Sequence, residues 1–482
     1  MANFAAPARL QKKKDVKIYL INPPWFTKED NIWSYIRGVN PPLGLLNLAA
    51  YLEKAKVDVD IIDFQTSSWS WEGIERKVQS LKCDFFGITA TTPIVNNAYR
   101  ICDIIKYLHP SSKIILGGVH ATALPEEALG KPAIDYVVRG EGEVALLSLI
   151  QGAPLDGIAG ISYRENGKYK HVKPDGIIPD LDDLPFPAYH KINLSDYHPT
   201  VGSYKRLPAV SLLTTRGCMG KCTFCNSANI PLRVRNADNI FQEIEMLSRK
   251  YGIKEISFYD DTFVAYRKNI MRLCELIIKN KLDLTWSCFA RTDCVNTDIL
   301  KIMKRAGCHQ IMYGIESAQK EILANIKKHC IDSRSIKQAI EITKKAGITV
   351  RCAFMFGSPG ETEETIDDTI EYSIRLDPDI AIYNITTPYP GTEMFRWAKE
   401  RGYLRTENWD DYDLSKPIMD LPTINGKVLT QKYRQAFVRF YFRPKLIFKK
   451  MFSIRFLTDL PILIKGMKSI LNFACRIRNE GV

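Results

Sequence analysis

The strongest constraint on the fold of this chain is a regular alternation between short apolar runs and amphipathic segments with helical spacing. In the first third of the sequence, the apolar runs predict strands and the segments between or after them predict helices. The predicted strands are residues 17–22, 57–63, 84–90, 113–118 and 135–140, and the predicted helices are residues 44–55, 70–81, 94–108 and 142–151. This α/β pattern predicts a doubly wound five-stranded parallel sheet over residues 16–151, with ligands bound at the carboxyl ends of its strands.

A second alternation of the same kind follows later in the chain. Its predicted strands are residues 209–214, 254–259, 283–288, 310–314, 349–356 and 379–385. Six strand–helix units over residues 206–400 predict a partial (β/α)6 barrel, whose chemistry would lie at the carboxyl ends of the strands. Residues 152–205 are rich in Pro, Gly and Asp, and they predict a linker with a small hairpin.

The two ends of the chain are basic. Residues 1–15 predict a flexible basic tail, and residues 401–482 predict a basic, mainly helical C-terminal region. The net charge of +13 is concentrated, because residues 427–482 hold 13 Lys and Arg against two acidic residues, whereas the rest of the chain holds 54 against 52. A nucleic-acid enzyme usually spreads basic groups along a binding face, so this distribution argues against nucleic acid and favours an anionic surface or a tail partner.

The basic C-terminal region has two open interpretations. Residues 428–474 mix the bases with many apolar side chains, so they form either a helical cap on the barrel or an amphipathic segment on an anionic bilayer. No secretory signal precedes the first strand, and no run of about 18 uncharged apolar residues is present. We expect a cytoplasmic protein, with peripheral attachment to the inner face of the membrane as the open alternative.

Three cysteines carry the strongest chemical signal. Cys218, Cys222 and Cys225 follow the first strand of the second region with C-x-x-x-C-x-x-C spacing. A four-iron cluster normally takes four thiolates, so three thiolates leave one iron open to an exchangeable ligand. A zinc site would more often show a fourth Cys or His at short spacing. The other nine of the 12 cysteines show no ligand spacing and are typical of small buried hydrophobic residues.

This motif, placed after the first strand of a partial barrel, resembles the radical S-adenosylmethionine enzymes. With a five-stranded Rossmann-like module before it, the chain is similar to the subfamily with an N-terminal cobalamin-binding domain, and the resemblance covers about residues 16–400. The resemblance implies a [4Fe-4S] cluster on Cys218, Cys222 and Cys225, with S-adenosylmethionine chelated to the open iron and cleaved to a 5′-deoxyadenosyl radical. Phe224 would then lie against the adenosyl group.

Further residues that match the family fall at successive predicted strand ends. The resemblance implies that Asp261 holds the methionyl amine, that Arg291 pairs with the methionyl carboxylate and that Glu316 binds a ribose hydroxyl or the amine. Residues 356–362 resemble the Gly-Pro-Gly-Glu turn of the family, which is mainly a backbone feature. Singly, each charged residue is more often a surface ion-pair partner, and their common location at strand ends favours a site.

In the N-terminal region, loops after the predicted strands resemble the cobalamin-binding loops of the subfamily. The candidate residues are Asn22, Pro23, Pro24, Gly117, Gly118, His120, Gly140, Glu141, Gly142 and Glu143. Glycine allows the backbone to approach a corrin closely, where a side chain would obstruct it. The sequence contains no D-x-H-x-x-G motif, so no histidine is marked as the lower axial ligand of cobalt. The same absence is also compatible with a module that has lost cobalamin.

The resemblance implies a methyltransferase that methylates an unactivated carbon of a small molecule, such as a lipid or a tetrapyrrole. Such a carbon cannot be deprotonated by a side chain at neutral pH, so the chemistry requires a radical cofactor. The electron donor would be a flavodoxin or a ferredoxin. One alternative is an oxidative, ring-forming enzyme like the anaerobic magnesium-protoporphyrin ester cyclase. Another is a catalytically inactive cobalamin-sensing regulator, which the three intact cysteines argue against.

Overall fold

The computed structural model describes residues 16–26, 38–200, 202–328 and 332–446. The chain forms two compact units, which we call unit 1 and unit 2. Unit 1 comprises Met1–Trp25, Pro42–Pro179 and Asp183–Asn193, and unit 2 comprises Phe26–Pro41, Asp180–Asp182 and Leu194–Val482. The tail predicted at residues 1–15 and the part of the predicted C-terminal region after residue 446 lie outside the described residues.

Unit 1 is built on a seven-stranded sheet. Its strands are β1 (Lys17–Asn22), β2 (Asp58–Asp63), β3 (Phe85–Thr89), β4 (Lys113–Gly117), β5 (Tyr136–Val138), β6 (Ile161–Glu165) and β7 (Lys168–His171). The spatial order is β2-β1-β3-β4-β5-β6-β7. The first five strands pair in parallel, as predicted. Their 2-1-3-4-5 order is that of flavodoxin-like doubly wound sheets, which bind ligands where β1 and β3 diverge.

The predicted hairpin is present, but it belongs to the sheet. The strands β6 and β7 are antiparallel, and β6 extends the edge of the sheet by pairing with β5. The five-stranded count is therefore corrected to seven strands, of which five are parallel. A Pro-, Gly- and Asp-rich composition indicates turns around such a hairpin, but it does not indicate which edge strand the hairpin joins.

Among the described residues of unit 1, six α-helices accompany the sheet. They are α1 (Leu43–Lys54), α2 (Trp71–Gln79), α3 (Val95–Leu108), α4 (Val119–Ala123), α5 (Pro125–Leu129) and α6 (Glu143–Ile150). Helix α1 buries a stripe that includes Leu45, Ala49 and Leu52, and this stripe packs on Ile18 and Leu20 of β1 in one hydrophobic cluster. Burial of such aliphatic side chains contributes roughly 1.5–3 kcal/mol each, which fixes the helices on the sheet and leaves the strand-end loops free for other roles.

Unit 2 contains a six-stranded, fully parallel sheet in sequential order. Its strands are β8 (Ala209–Leu212), β11 (Glu255–Phe258), β12 (Thr285–Ala290), β13 (Cys308–Glu316), β14 (Thr349–Phe356) and β15 (Ile380–Ile385). A separate two-stranded ribbon consists of β9 (Thr215–Arg216) and β10 (Arg233–Val234). The six predicted strands and their parallel pairing are confirmed. Closure of this sheet into a partial barrel stays a prediction.

Helices cover one face of this sheet. They are α7 (Ala237–Tyr251), α8 (Arg267–Lys279), α9 (Thr297–Arg305), α10 (Lys320–Asn325), α11 (Ser333–Lys345), α12 (Glu363–Leu376), α13 (Glu393–Glu400) and α14 (Gly426–Tyr441). Tyr313 of β13 and Tyr383 of β15 mark the helical face, because their hydroxyls bond Thr343 of α11 and Ser373 of α12. Side chains alternate along a strand, so Met312, Arg351 and Asn384 lie on the opposite face, which we call the inner face.

The described part of the C-terminal region caps unit 2. Helix α14 packs on α12 and β15, with Phe437 in edge contact with Tyr383 at 5.2 Å. Lys432 pairs with Asp367 at 2.6 Å, and Arg443 pairs with Asp377 at 3.2 Å. Residues 426–446 therefore fit the helical-cap interpretation. Among the described residues, no helix combines the length and the apolar character that crossing a bilayer would require.

Candidate functional site

The three cysteines of the motif lie in one loop that a short ribbon closes. The loop leaves β9 and returns through β10, which pairs Arg216 with Arg233. Gly217 has φ +86°, and a Cβ there would lie 2.4 Å from the carbonyl oxygen of Pro231. The next residue, Cys218, donates its N–H to the carbonyl of Ile230 at 3.2 Å. Only glycine fits this crossing, which brings the first cysteine against the returning strand.

The sulfur atoms have the environment of cluster ligands. Cys218, Cys222 and Cys225 are free and half-buried, and burial raises the pKa of Cys222 and of Cys225. The N–H of Gly220 points at the Cys218 sulfur at 3.3 Å, and a Cβ on Gly220 would lie 3.4 Å from that sulfur and 3.9 Å from the Cys222 sulfur. The Cys218 and Cys222 thiols thus both lie next to Gly220. A hydrogen bond from a backbone N–H to a ligand sulfur is a feature of iron–sulfur sites.

Three half-buried thiols spread along one loop fit the ligand set of a multi-iron cluster. Within the described residues, no three Cys, His, Asp or Glu side chains converge closely enough to hold one ion. A cubane cluster binds each thiolate through a different iron, so its ligands surround a volume and do not meet at a point. The residues present therefore fit a [4Fe-4S] cluster, and the cluster assignment of the three cysteines stays a prediction.

Backbone contacts hold the middle of the cysteine loop. Thr223 donates its N–H to the carbonyl of Ile326 at 3.0 Å, and its own carbonyl accepts from the N–H of Met394 at 2.9 Å. The segment after α10 and the first turn of α13 therefore both support the loop. Phe224, the predicted adenosyl contact, is half-buried between the second and third cysteines.

A buried aspartate ties the start of the cysteine loop to β11. Asp260 accepts the N–H groups of Thr214 at 2.7 Å and of Thr215 at 2.6 Å, and both threonine hydroxyls add bonds at 3.0 and 2.8 Å. Burial raises the pKa of Asp260 to about 6 in spite of these donors. The acidic motif of residues 259–263 was interpreted with Asp261 as the preferred residue, although the Thr-Thr pair after β8 was the available signal for Asp260. Asp260 is a structural clamp.

The neighbouring aspartate has the opposite exposure. Asp261, predicted to hold the methionyl amine, is exposed, and its charge contributes to the raised pKa of Cys225. The side chain is therefore beside the cysteine loop and accessible to a ligand. This placement is compatible with the predicted role, which no contact in the structure tests.

Glu316 occupies a strained position beside the same loop. It has φ +65° at a register shift in β13, and Lys328 forms a close ion pair with it. A Cβ on Gly314 would lie 2.6 Å from the Glu316 carboxylate, so glycine makes room for this pair. The charge of Lys328 also opposes the burial-driven rise in the pKa of Cys222. Lys328 was missed from sequence, because it follows a short helix and no strand.

Arg291 already has a carboxylate partner. Its guanidinium donates to both oxygens of Asp293, at 2.9 and 2.7 Å, and this bond holds the pKa of Asp293 below its ordinary value. A methionyl carboxylate would have to share or replace this pair. In the predicted role of Arg291, the methionyl carboxylate therefore competes with the Asp293 carboxylate for the guanidinium.

The turn after β14 is organised by another buried acid. Glu361 accepts the N–H groups of Gly357 at 2.6 Å and Ser358 at 2.8 Å. Burial raises the pKa of Glu361 to about 8. The Gly-Ser-Pro-Gly-Glu segment is thus a backbone feature, in line with the sequence interpretation.

In unit 1, the ends of β1 and β2 form one polar network. Asn22 donates to Asp63 at 2.9 Å, and Gln65 donates to the Asn22 side chain at 3.3 Å and to the Pro23 carbonyl at 3.1 Å. Asn97 donates to the carbonyl of Pro24 at 3.0 Å. The predicted residues Asn22, Pro23 and Pro24 are buried, so they shape the edge where β1 and β3 diverge.

The loop after β4 lies directly against the loop after β3. Gly118 has φ +95°, and a Cβ there would lie 2.6 Å from the carbonyl oxygen of Ala90. The N–H of Ala90 donates to the carbonyl of Gly117 at 2.9 Å. Gly117 itself is open, with its nearest neighbour 3.7 Å from a built Cβ. Gly118 thus lets the two loops pack together, and Gly117 leaves an open backbone position at the strand end, which fits close approach by a ligand.

His120 is not at that surface. Its side chain is fully buried, 3.2 Å from the Thr92 hydroxyl and 3.5 Å from the Glu127 carboxylate. The predicted corrin contact by this ring does not fit its position. The loop after β4 therefore offers its glycine backbone to a ligand, whereas the His120 ring lies in the core.

The remaining predicted cobalamin residues follow β5. Gly140 has φ +75° and donates its N–H to Thr122 at 3.0 Å, and a Cβ on Gly142 would lie 3.2 Å from Leu48. Glu141 is half-buried, whereas Glu143 is buried at the start of α6. Burial raises the pKa of Tyr51 in α1, and the nearby charge of Glu143 raises it further. Gly140 and Glu141 are thus at the loop surface, and Gly142 and Glu143 pack against α1.

Known proteins share both the sequence pattern and the fold. A B12 binding domain family model matches residues 32–150, and a Radical SAM superfamily model matches residues 212–373. An uncharacterized methyltransferase of Pyrococcus horikoshii is 35% identical over 448 residues, which cover 91% of this chain and 95% of that protein. The anaerobic magnesium-protoporphyrin IX monomethyl ester cyclase of Rubrivivax gelatinosus is 28% identical over 420 residues, which cover 84% of this chain and 74% of that protein.

A solved structure extends the comparison. The cobalamin-dependent S-adenosylmethionine radical enzyme OxsB, with aqua-cobalamin and S-adenosylmethionine bound, has a TM-score of 0.73 at 18% identity, and the match covers 97% of this chain and 75% of OxsB. The fold is therefore shared. A B12 binding domain before a radical S-adenosylmethionine core defines a class of enzyme that combines cobalamin with S-adenosylmethionine radical chemistry. The chain belongs to this class, the cobalamin-dependent radical S-adenosylmethionine enzymes, as the sequence resemblance indicated.

Proposed function

We propose that this chain is a methyltransferase that adds a methyl group to an unactivated carbon of a small-molecule substrate. The observation that carries this proposal is the 35% identity to a methyltransferase over 91% of the chain. The fit of the cysteine loop to a three-thiolate cluster supports the radical part of the chemistry. The glycine-rich strand ends of unit 1 support the cobalamin part.

The cofactors supply the reactive species, and the protein residues bind and orient them. A [4Fe-4S] cluster on Cys218, Cys222 and Cys225 supplies the electron that cleaves S-adenosylmethionine, and cobalamin carries the methyl group. In this proposal Asp261 binds the methionyl amine, because it is exposed beside the cysteine loop. Arg291 binds the methionyl carboxylate in exchange for Asp293.

Two further residues complete the proposed S-adenosylmethionine site. Lys328 holds one oxygen of Glu316, so that the other oxygen is available to a hydroxyl or amine. Phe224 packs against the adenosyl group from within the cysteine loop. The four proposed contacts come from the cysteine loop and from the ends of β11, β12 and β13, and strand ends are where catalytic residues of parallel barrels lie.

Formation of 5′-deoxyadenosine tests the radical chemistry without a known substrate. We expect the anaerobically reconstituted protein to form it from S-adenosylmethionine and a strong reductant, and Cys222→Ala to abolish it. Cys83→Ala is the matched control, because Cys83 is also half-buried and free but lies in unit 1. Equal product from Cys222→Ala and the wild type would refute the cluster assignment. No product from any protein would favour the inactive cobalamin-sensing regulator.

Methyl transfer is tested separately with S-adenosylmethionine that carries a trideuterated methyl group. Metabolites extracted from a strain that lacks the gene would provide the substrate pool. A product that gains the three deuterium atoms supports the methyltransferase. A product that is oxidised or cyclised without label supports the second candidate, a ring-forming enzyme, which the similarity to the magnesium-protoporphyrin ester cyclase favours.

The proposal includes a reductant and a cellular location. A flavodoxin or ferredoxin donates the electron in a cytoplasmic protein, and either one replaces the chemical reductant in the assay above. For domain organisation, we retain residues 16–151 as the cobalamin-binding domain, 152–205 as a linker segment and 206–400 as the radical core. The sheet of unit 1 extends into the linker segment through β6 and β7.

Membrane association is proposed only for residues 447–482. In the preceding segment the bases Lys432, Arg439, Arg443 and Lys445 pair with acids of α12 and with Asp377 just after it. The bases beyond residue 446 are Lys449, Lys450, Arg455, Lys465, Lys468, Arg476 and Arg478. We expect the full-length chain to co-sediment with anionic liposomes and a variant with these seven changed to Gln to lose that binding. Equal binding of both proteins would refute the proposal.

A further inference from the structure

A half-buried arginine on the inner face of unit 2 has a shielded N–H group without an acceptor. Arg351 is the third residue of β14, and its Nε is shielded from solvent and has no hydrogen-bond acceptor. One other nitrogen, Nη1, donates to the side-chain carbonyl of Gln310 at 3.2 Å. Within the described part of the chain, Arg351 forms no ion pair. A shielded N–H of a charged group that has no acceptor is costly, so such an arginine requires an explanation.

Neighbouring groups do not neutralise this charge. Glu255 is the buried acid at the same end of the sheet, but its oxygens are occupied by His309 at 2.7 Å, by the N–H groups of Lys205 and Arg206 at 2.8 Å and by Thr285 at 2.9 Å. Tyr441 of α14 is near Arg351, but burial raises the pKa of Tyr441 to about 12, so the phenol is neutral at pH 7. Burial in turn lowers the pKa of Arg351.

The surroundings of Arg351 have the composition of a ligand site. The inner-face residues Met312, Met355 and Ile382 are half-buried, whereas the helix-facing residues Cys352 and Phe354 are buried. Asn384, also on the inner face, has a buried side-chain oxygen without a donor. An apolar wall with a few unsatisfied polar atoms is typical of small-molecule pockets.

The position of Arg351 separates it from the proposed cofactor site. The segment 202–206 lies at the amino-terminal end of the sheet, next to Gln310, the hydrogen-bond partner of Arg351. Gln310 donates to the Gly202 carbonyl at 3.1 Å. Phe356, at the carboxyl end of β14, is five residues further along the strand, a distance of about 16 Å at 3.3 Å per residue. S-adenosylmethionine at the strand ends would therefore lie several residues above the backbone of Arg351, and a substrate that extends along the inner face would meet the guanidinium.

We propose that Arg351 binds an anionic group of the substrate, a carboxylate or a phosphate, at the floor of the inner face. The apolar body of the substrate lies along Met312, Met355 and Ile382 towards the strand ends, with a donor group on Asn384. Asn384 pairs in register with Met355 and is four residues above the level of Arg351, or about 13 Å. The substrate class is an elongated amphipathic acid. This inference rests on the proposed function, because it describes the substrate of that site.

Two acidic probes and one neutral probe test the site in the full-length protein loaded with its three cofactors. The acids are 4-phenylbutyrate, a carboxylate, and 3-phenylpropylphosphonate, which resembles a phosphate. The neutral probe is the amide of 4-phenylbutyrate, and binding of each compound is measured by calorimetry. We expect the wild type to bind one of the two acids about tenfold or more tightly than the amide, as hydrogen bonds to charged groups imply. The preferred acid identifies the anionic group.

Variants of the same position decide the origin of this preference. Arg351→Gln should lose the preference for the acid, and Arg351→Lys should keep part of it because it keeps the charge. Arg249→Gln is the control, since Arg249 is an exposed arginine paired with Glu245 at 2.7 Å, and it should behave as the wild type. The melting temperature of substrate-free Arg351→Gln should not fall, because the substitution removes a shielded N–H group that has no acceptor.

The inference is overturned if wild type binds acids and amide equally, or if Arg351→Gln keeps the full preference. If Arg351→Gln binds none of the probes, the Arg351→Lys variant decides. Equal binding of acid and amide by Arg351→Lys then overturns the inference. The proposed function fails by a different measurement, the absence of 5′-deoxyadenosine from the wild type. The two failures are therefore distinguishable.

Discussion

At the residue scale, acids at the strand ends of unit 2 divide into two kinds. Asp260 and Glu361 are buried and accept backbone N–H groups, and they shape the loops that follow β8 and β14. Asp261 is exposed beside the cysteine loop. A sequence motif of adjacent acids does not separate these roles, because exposure depends on which residue faces the neighbouring loop.

The Asp260 and Asp261 pair gives a matched test of that division. Asp260→Asn should lower the free energy of unfolding by about 2–4 kcal/mol, because an amide group then meets N–H and O–H donors in a buried site. Asp261→Asn should leave the unfolding free energy unchanged and weaken S-adenosylmethionine binding. Urea denaturation and equilibrium binding measure the two effects. The division into a structural Asp260 and a ligand-binding Asp261 is wrong if both variants change stability and S-adenosylmethionine binding in the same way.

The raised pKa of Glu361 predicts a pH-dependent stability. This pKa is about 8 in the folded protein against an ordinary value of 4.5. The contribution of the protonated Glu361 to the free energy of unfolding is complete below pH 4.5. It is lost as the pH rises towards 8, because Glu361 ionises at a lower pH in the unfolded chain than in the folded protein. The loss is at most about 5 kcal/mol at 1.36 kcal/mol per pKa unit. Glu361→Gln cannot ionise, so urea midpoints at pH 5 and pH 8 should differ less for this variant than for the wild type.

The predicted site residues show how far single residues can be read from sequence. Spacing alone marked Cys218, Cys222 and Cys225 as candidate ligands of one cluster, and the structure places them in one loop. Lys328 was missed because its partner Glu316 is 12 positions away, and only the backbone path after α10 brings the two together. His120 was assigned to a surface, but its ring turns into the core, and a Gly-Gly turn does not fix that direction.

At the element scale, the cysteine loop depends on its glycine crossing. Gly217 and Gly152 both have positive φ, but a Cβ on Gly152 would meet nothing within 4 Å. Gly217→Ala should therefore force the β9–β10 ribbon apart and reduce bound iron after reconstitution severalfold, whereas Gly152→Ala should bind iron as the wild type does. Iron analysis and the visible absorbance of the cluster measure this effect. Normal iron content in Gly217→Ala would contradict the role of the crossing.

The strands were the most predictable elements, since each is a continuous apolar run bounded by turn residues. The ribbon of β9 and β10 was not predicted, because two residues per strand carry no periodicity. The attachment of β6 to β5 and the docking of α14 on α12 were also not predictable. Both depend on contacts between segments far apart in sequence, and the local pattern is the same with or without them.

At the scale of the whole molecule, the candidate residues of each cofactor fall in one unit. The proposed cobalamin residues lie in unit 1, and the three cysteines and the proposed S-adenosylmethionine contacts lie in unit 2. Each unit has its own parallel sheet and its own hydrophobic core. Neither set of residues therefore needs the other cofactor in order to adopt its position.

This separation predicts that cobalamin and the iron–sulfur cluster load independently of each other. Gly118→Val should bring a branched side chain against the backbone of Ala90 and lower the bound cobalamin at least severalfold, with iron content unchanged. Replacing Cys218, Cys222 and Cys225 together by Ala should remove the iron and leave cobalamin binding intact. Each variant is reconstituted with both cofactors, and cobalt and iron are counted per chain. Loss of both metals from either variant would show that the sites assemble as one, because an independent unit keeps its own cofactor when the other is empty.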